Sequence, residues 1–334
     1  MNILEADSLH DRAFGCLIGL AIGDSFGDAA RKADNHFLYG ITTDFRHGVP
    51  APGTDDTEFA LLTADTMLQA RGELTSDHVL TAWRQHVIAL EAMPRGGASE
   101  REAAANIRRG ILPPVSGQYN SHYMSDGAAM RVAPIGIVCA GNPVRAARLA
   151  EIDASISHWR DGIWGAQAVA AGVAAAMAGK SVDDVIAAAM EVLPHDSWLH
   201  FSMHEASQIV HASAAWEEAW MPLHDTLRTE YKAVAPEAVA SAFAVFKMQN
   251  GDFKKSVIWG GNFGRDADTI AAIVGALSGA MQGTSAIPPH WIDKVRYAAG
   301  TCLPFTKGMD LKSVARQLAE LIDDKWNETK LPAS

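Results

Sequence analysis

The stretch that decides the fold class is residues 166–177, which read AQAVAAGVAAAM. Alanine has the highest helix propensity, and the apolar–polar alternation that marks a strand is absent here, so the segment is predicted to be a helix. Several similar segments begin at a residue that can cap a first turn, such as Ser76, Asn142 before Pro143, Ser181 and Asp310. The further predicted helices are 10–23, 56–71, 76–92, 98–109, 126–140, 143–153, 182–193, 203–216, 236–249, 266–282, 288–299 and 310–326.

Strand patterns are short wherever they occur, and the best candidate, residues 257–259, cannot found a sheet. The fold class is therefore predicted to be all-α. No linker, charge block or repeat divides the sequence, so we expect a single compact domain over residues 1–334. The segments 110–125 and 250–265 are interpreted as functional loops.

The overall charge argues against several classes of partner. A formal charge of -11 repels phosphate backbones, and the basic residues Arg101, Arg108 and Arg109 are interrupted by an acid, so they are interpreted as a solvated helix face. No nucleic-acid partner is expected. The N-terminus is acidic and its apolar run, residues 13–23, is about half of the ~20 residues that span a bilayer, so we expect a cytoplasmic protein without a membrane partner.

The three cysteines are far apart in the sequence. Cys16, Cys139 and Cys302 form no C-x-x-C pair that would indicate a metal knuckle or a redox centre. We expect buried free thiols.

Glycines recur every four residues in two predicted helices. One stripe is Gly15, Gly19, Gly23 and Gly27, and the other is Gly275, Gly279 and Gly283. Residues four apart share a helix face, so each stripe lets another backbone approach closely. In a membrane this would be a dimerisation motif, but the flanking charges Asp11, Arg12 and Asp24 favour packing in a soluble core. Each glycine costs ~1 kcal/mol relative to alanine in a helix, and we expect the two stripes to pack against each other.

Two acidic clusters stand at predicted helix starts. The first, Thr54-Asp55-Asp56, has an equally good interpretation as an acidic N-cap. The second, Asp266-Ala267-Asp268-Thr269, repeats the pattern after a glycine-rich segment. Together they supply four carboxylates and two hydroxyls, a hard-oxygen set suited to Mg²⁺, Mn²⁺ or Ca²⁺, whereas zinc would require nearby Cys or His pairs. Because the carboxylates would repel one another if the two ends met, metal binding is the economical interpretation.

Three other enzyme classes with similar strings fit less well. A haloacid-dehalogenase-type phosphatase needs a strand running directly into Asp-x-Asp, and residues 262–265 intervene here. A terpene synthase needs a carboxylate three residues after its aspartate pair, and Glu58 falls two residues after Asp56. A Ca²⁺-dependent nucleoside hydrolase of the α/β type carries its aspartate cluster at the N-terminus after a strand, and this sequence has no such strand.

Five motifs in order resemble the ADP-ribosylglycohydrolase family over residues 12 to about 300. They are GCLIG 15–19 with GDSFG 23–27, TDDT 54–57, GAAMR 127–131 with Pro134, SH 157–158, and DADT 266–269 with Gly275. The resemblance implies an all-α orthogonal bundle with a dinuclear Mg²⁺ or Mn²⁺ centre. It also implies hydrolysis of the bond at C1″ of an ADP-ribosyl or related ribosyl substrate, which is a small molecule or is carried by an ADP-ribosylated protein.

The resemblance assigns roles to particular residues. The metal ligands would be Thr54, Asp55, Asp56, Asp266, Asp268 and Thr269, with Asp56 or Asp266 as the catalytic base. The substrate would be bound by Ser125, Asp126, Gly127, His158 and Asp28. The residues alone favour a hydrogen-bonded histidine at a helix start for His158, whereas the resemblance favours the substrate contact.

One position departs from the family. Members that remove ADP-ribose from proteins or its polymer commonly carry a glutamate four residues after the glycine that corresponds to Gly27, where this sequence has Arg31; Asp28 and Asp34 are the nearest carboxylates. Arg31 therefore leaves open an N-glycosidase of a smaller nucleoside-like riboside. A separate alternative is an idle relative that serves as a binding or structural protein, although the complete set of six metal-type oxygens argues against it. The segment 96–120 suits a lid or an ordinary surface loop, and Trp159, Trp164 and Trp259 suit either base stacking or core packing.

Overall fold

The computed structural model describes residues 6–28, 40–45 and 50–322. Within those ranges it has sixteen α-helices and no strand, so the predicted all-α class is confirmed. Isolated bridges join Ser125 to Val234 and Tyr297 to Asp310. The helices are α1 Ala6–Asp28, α2 Asp55–Gln69, α3 Ser76–Trp83, α4 Ala98–Arg108, α5 Val115–Gln118, α6 Ala133–Val138, α7 Pro143–Ala154, α8 Asp161–Met177, α9 Val182–Glu191, α10 Trp198–Ala212, α11 Trp216–Leu227, α12 Ala235–Met248, α13 Phe253–Asn262, α14 Ala267–Gln282, α15 Pro289–Val295 and α16 Leu311–Ala319.

The packing of α1 against α14 organises the centre of the molecule. Built onto Gly19, a Cβ atom would lie 2.2 Å from the Gly275 carbonyl oxygen, and one built onto Gly275 would lie 2.1 Å from the Gly19 oxygen. The same close approach recurs between Gly15 and Gly279. The prediction that the two glycine stripes meet is confirmed. The consequence is that the end of α1 and the start of α14 lie side by side.

The alanine-rich segment that predicted a helix lies in α8, almost entirely buried. This helix packs against α6, α7, α9 and α14. The buried apolar side chains of the described residues form one connected core. That core supports the expectation of a single domain, which stays a prediction.

The main corrections concern three predicted segments. Residues 126–140 are not one helix, since a 3-10 turn, Ala129–Arg131, precedes the short helix α6. Residues 250–265 are not a loop: α13 occupies Phe253–Asn262, and the side chain of Asp252 accepts a hydrogen bond from the backbone N–H of Lys255 at 2.9 Å. The helix predicted at 203–216 ends earlier, at Ala212, and α11 follows from Trp216 although it contains Pro222.

Smaller expectations can also be compared with the structure. All three cysteines are free and buried, as predicted, and burial raises the pKa of the Cys139 thiol to about 11. Arg101 and Arg108 are exposed, as expected for a solvated face. Among the residues that can be described, none of the helices has the length and hydropathy needed to cross a bilayer.

Candidate metal centre

The N-terminus of α2 is anchored to the C-terminal part of α1 by Asp24. Its Oδ2 accepts backbone hydrogen bonds from Thr54 at 2.7 Å and Thr57 at 3.1 Å, and also the hydroxyl of Thr57. Thr54 is the N-cap of α2, so both aspartates that follow lie in the first helical turn. This arrangement fixes the first acidic cluster beside the glycine-packed end of α1.

The two clusters meet in the interior. Oxygen atoms of Asp24, Asp56 and Asp268 all lie within 4.8 Å of one another, and the three side chains are completely buried. Asp24 comes from α1, Asp56 from α2 and Asp268 from α14, so three helices converge on one point. The close approach of α1 and α14 makes this convergence possible.

A second group of charges surrounds Asp266, the residue before α14. Its Oδ1 lies 2.9 Å from the Lys232 ammonium nitrogen, and the same nitrogen donates to the Arg265 carbonyl at 3.0 Å. Burial, and after it the neighbouring Asp266 carboxylate, raise the pKa of Asp126 well above its usual range, with Asp268 adding to the effect. This side of the site therefore concentrates negative charge that one lysine partly balances.

Glu58 is part of the same helix start but has a different task. Its carboxylate accepts backbone hydrogen bonds from Thr301 at 2.6 Å, Cys302 at 2.8 Å and Leu303 at 2.5 Å, and it is almost completely buried. Glu58 therefore ties the segment before α16 to the base of α2. Its oxygens are committed to backbone donors.

A closed ring of hydrogen bonds lies behind the loop at 125–127. Its links are Arg131 to Ser157 at 3.0 Å, Ser157 to His158 Nδ1 at 2.7 Å, His158 Nε2 to Ser125 at 2.8 Å, Ser125 to Ser99 at 2.8 Å, Ser99 to Glu100 at 2.7 Å, and Arg131 to Glu100 at 3.2 Å. Because the Ser125 hydroxyl donates to Ser99, it accepts from His158, which assigns the proton of the neutral imidazole to Nε2. Burial, and next Arg131, lower the pKa of His158 well below its usual value, which is consistent with this neutral form.

Glu100 connects the ring to the acidic clusters. A Cβ added to Gly127 would lie 2.4 Å from Glu100 Oε1, and one added to Gly97 would lie 2.2 Å from Oε2 and 3.5 Å from Asp55 Oδ2. The two glycines thus leave room for the Glu100 carboxylate beside the first cluster. In the sequence, Glu100 lay in a segment that suits a lid or an ordinary surface loop. Arg131, which pairs with it and with Asp153 at 2.7 Å, belonged to a motif to which no role was assigned.

The residues present fit a hard divalent cation. Three buried carboxylates converge, and Asp24 Oδ1 is buried without a hydrogen-bond partner among the described residues. Burial raises the pKa of Asp24, which reflects the cost of holding its negative charge away from water. Oxygen-only ligands of this kind are those that Mg²⁺ and Mn²⁺ prefer.

Comparison with known proteins identifies one family. The family model described as ADP-ribosylglycohydrolase matches residues 5–328. The chain belongs to the ADP-ribosylglycohydrolase family. Members of this family are glycosyl hydrolases, so the protein is an enzyme of that class.

Individual relatives of this ADP-ribosylglycohydrolase cover most of its length. An uncharacterized protein of Archaeoglobus fulgidus is 31% identical over 302 residues, which cover 86% of this chain and 92% of the relative. The ADP-ribosylarginine hydrolase Tri1 of Pseudomonas putida is 27% identical, with 88% and 77% covered. The ADP-ribosyl-[dinitrogen reductase] glycohydrolase of Rhodospirillum rubrum is 27% identical, with 87% and 92% covered.

A solved structure supports the fold. It is described as an ADP-ribosylglycohydrolase-related protein complex and superposes with a TM-score of 0.64 at 23% identity, covering 94% of this chain and 99% of the other. The predicted orthogonal-bundle fold of the ADP-ribosylglycohydrolase type is confirmed.

Several predicted site residues lie where the glycohydrolase could use them. Carboxylate oxygens of Asp56 and Asp268 lie within 4.8 Å of each other, while the same two helix starts hold four further buried residues, Thr54, Asp55, Asp266 and Thr269. Asp24 joins them, although the sequence predicted no ligand role for it: it stood there as a charge flanking a glycine stripe and as part of the GDSFG motif. Ser125, Asp126 and Gly127 form the adjacent loop.

Other predicted residues lie further out. Both imidazole nitrogens of His158 are hydrogen-bonded to serines, Nε2 to Ser125 and Nδ1 to Ser157, so its contact with the substrate stays a prediction. Asp28 ends α1 and pairs with Arg95 at 3.1 Å. Arg31 and Asp34 lie outside the described residues. Trp159 is 39% exposed, whereas Trp259 packs against Trp216 with ring centroids 5.5 Å apart.

Proposed function

We propose that this ADP-ribosylglycohydrolase is a dinuclear metal-dependent enzyme that hydrolyses the C1″ glycosidic bond of an ADP-ribosyl or related ribosyl substrate. The observation that carries the proposal is the convergence of buried Asp24, Asp56 and Asp268 oxygens from three helices. Six residues would hold two Mg²⁺ or Mn²⁺ ions: Thr54, Asp55, Asp56, Asp266, Asp268 and Thr269. Asp24 would hold or orient one of them.

The bound cations would supply positive charge for the ribose hydroxyls and for an oxocarbenium-like transition state, and would acidify a water molecule. Asp56 or Asp266 would accept the proton of that water. Asp126 and Gly127 would contact the ribose or its phosphates. The hydrogen-bond ring through His158 would hold Ser125 and this loop in place.

The leaving group is open between two classes. The named relatives act on ADP-ribosylarginine and on ADP-ribosylated dinitrogen reductase, which favours an N-ribosyl bond on a protein side chain. Arg31, in place of the family's usual glutamate, favours a smaller nucleoside-like riboside whose anionic group could meet a cation. A catalytically idle relative is disfavoured, since buried carboxylates are costly to retain without a ligand.

The test is a hydrolysis panel with Mg²⁺ or Mn²⁺ present, comparing ADP-ribosyl-arginine, ADP-ribosyl-serine, O-acetyl-ADP-ribose and simple nucleosides. We expect turnover of at least one ADP-ribosyl compound, with chelator abolishing it. Asp268→Ala should reduce kcat by at least about a hundredfold, whereas Asp293→Ala, at an exposed position of α15, should leave it unchanged. Full metal-dependent turnover by Asp268→Ala would refute the ligand assignment, and turnover of none of the compounds would favour the idle relative.

A further inference from the structure

Lys232 lies in the segment between α11 and α12, and the sequence predicted no role for it. Its ammonium nitrogen contacts Oδ1 of Asp266 at 2.9 Å, and its side chain is 37% exposed while that of Asp266 is 5% exposed. The ammonium group of Lys232 therefore extends from the surface into the acidic interior. It contacts the carboxylate of Asp266, a residue of the proposed metal centre.

The surrounding charges explain why a cation is held there. Among the described residues, two arginines of this region are paired with other acids: the Arg265 guanidinium lies 2.5 Å from Glu237, and the Arg131 guanidinium bonds Glu100 and Asp153. Lys232 thus directly balances the negative charge at Asp266.

The backbone holds the lysine in this position. Its ammonium also donates to the Arg265 carbonyl at 3.0 Å, and Arg265 has a left-handed backbone conformation with φ 57°. The neighbouring Ala233 carbonyl accepts the Asp126 N–H at 3.1 Å, which fixes the same segment to the loop on the other side of the site. Lys232 is therefore held in place by the hydrogen bond of its ammonium group and by the backbone hydrogen bond of the next residue, Ala233.

We propose that Lys232 is a tethered competitor for the divalent cation at Asp266 and sets the affinity of that half of the centre. The inference rests on the proposed metal-dependent function. A cation that binds Asp266 must either displace the ammonium or accept a positive charge a few ångströms away, and both weaken binding. Partial exposure gives the lysine a route to water once it is displaced. The arrangement makes one metal position weaker than the other.

The experiment is a Mn²⁺ titration of the purified, chelator-treated full chain, followed by calorimetry and by the EPR signal of free Mn²⁺. Lys232→Met should bind the weaker Mn²⁺ about tenfold more tightly, equivalent to about 1.4 kcal/mol. Lys232→Arg keeps the charge and should stay near the wild-type affinity. Lys247→Met removes a similarly exposed lysine that pairs with Asp183 on the surface, and should change nothing.

The direction of the change separates competition from a structural role, because loss of a structural contact would weaken binding. Unchanged or weaker Mn²⁺ binding by Lys232→Met, with wild-type far-UV circular dichroism, overturns the inference alone. If that variant does not fold, Lys232→Gln is judged by the same criterion. A wild-type chain that binds no Mn²⁺ overturns both this inference and the proposed metal centre.

Discussion

Replacing Gly19 with alanine tests whether the glycine stripes set the distance between the two acidic clusters. The new Cβ would lie 2.2 Å from the Gly275 carbonyl oxygen and 2.8 Å from its carbonyl carbon. Favourable contacts between such atoms lie near 3.5 Å, so α1 and α14 must separate by roughly 1 Å. Neither obstructing atom can rotate away, because both belong to the backbone.

The magnitude follows from two opposing effects. Overpacking of a close-packed core costs about 1–3 kcal/mol, and displacement of two backbones lies at the upper end. Alanine in place of glycine in a helix interior returns ~1 kcal/mol. We therefore expect the free energy of unfolding of Gly19→Ala to fall by about 2 kcal/mol.

Gly172→Ala is the matched control. It makes the same substitution inside the buried helix α8, but its Cβ would meet the tips of side chains, Leu277 Cδ2 at 3.1 Å and Phe243 Cζ at 3.2 Å. These tips can give by a few tenths of an ångström, so the helix-propensity gain should leave the stability near wild type. Urea unfolding in chelator, followed by far-UV circular dichroism, measures both variants. Equal midpoints for Gly19→Ala and Gly172→Ala would refute the reasoning.

Two further predictions concern buried polar groups next to the site. Glu58→Gln replaces one acceptor oxygen by an N–H donor that faces the backbone donors of residues 301–303, and should lower the free energy of unfolding by about 3 kcal/mol; an unchanged urea midpoint would show that these bonds add little. His158→Phe keeps the ring but leaves the hydroxyls of Ser125 and Ser157 with one fewer partner each, and should cost about 3 kcal/mol. The same change at the exposed His204 should stay within about 0.5 kcal/mol of wild type, and equal losses in the two variants would contradict the assigned hydrogen-bond ring.

Features that depend on the spacing of residues within one helix could be predicted from the sequence. The glycine stripes depend on a spacing of four residues, and their meeting follows from the fact that only another close-packed backbone compensates for so many helical glycines. The first cluster was recognisable as a helix start because Thr54 caps a helix whose first turn is acidic, and only the second cluster made it a candidate metal site. The helix α13 was missed because its glycines, Gly260 and Gly261, read as loop residues. In the fold they allow close contact with Ala271 and Phe26.

The place of Asp24 in the carboxylate cluster was not predicted from its local sequence. In the sequence it is one acid among apolar residues and glycines, and as a charge beside a stripe it argued for a soluble core. The signal that was available is that α1 is apolar along this stretch, and the face that carries Gly23 and Gly27 must be buried for the glycines to serve any purpose. An ionisable side chain next to that face is then buried as well, and a buried carboxylate needs donors or a cation. Its backbone donors come from Thr54 and Thr57, about thirty residues away, and its facing carboxylate comes from Asp268. The spacing of residues in the sequence does not show which distant residues are the partners of Asp24. The glycine stripe does show that Asp24 is buried and therefore needs such partners. The third carboxylate of the centre could therefore have been inferred from the glycines that force it inside.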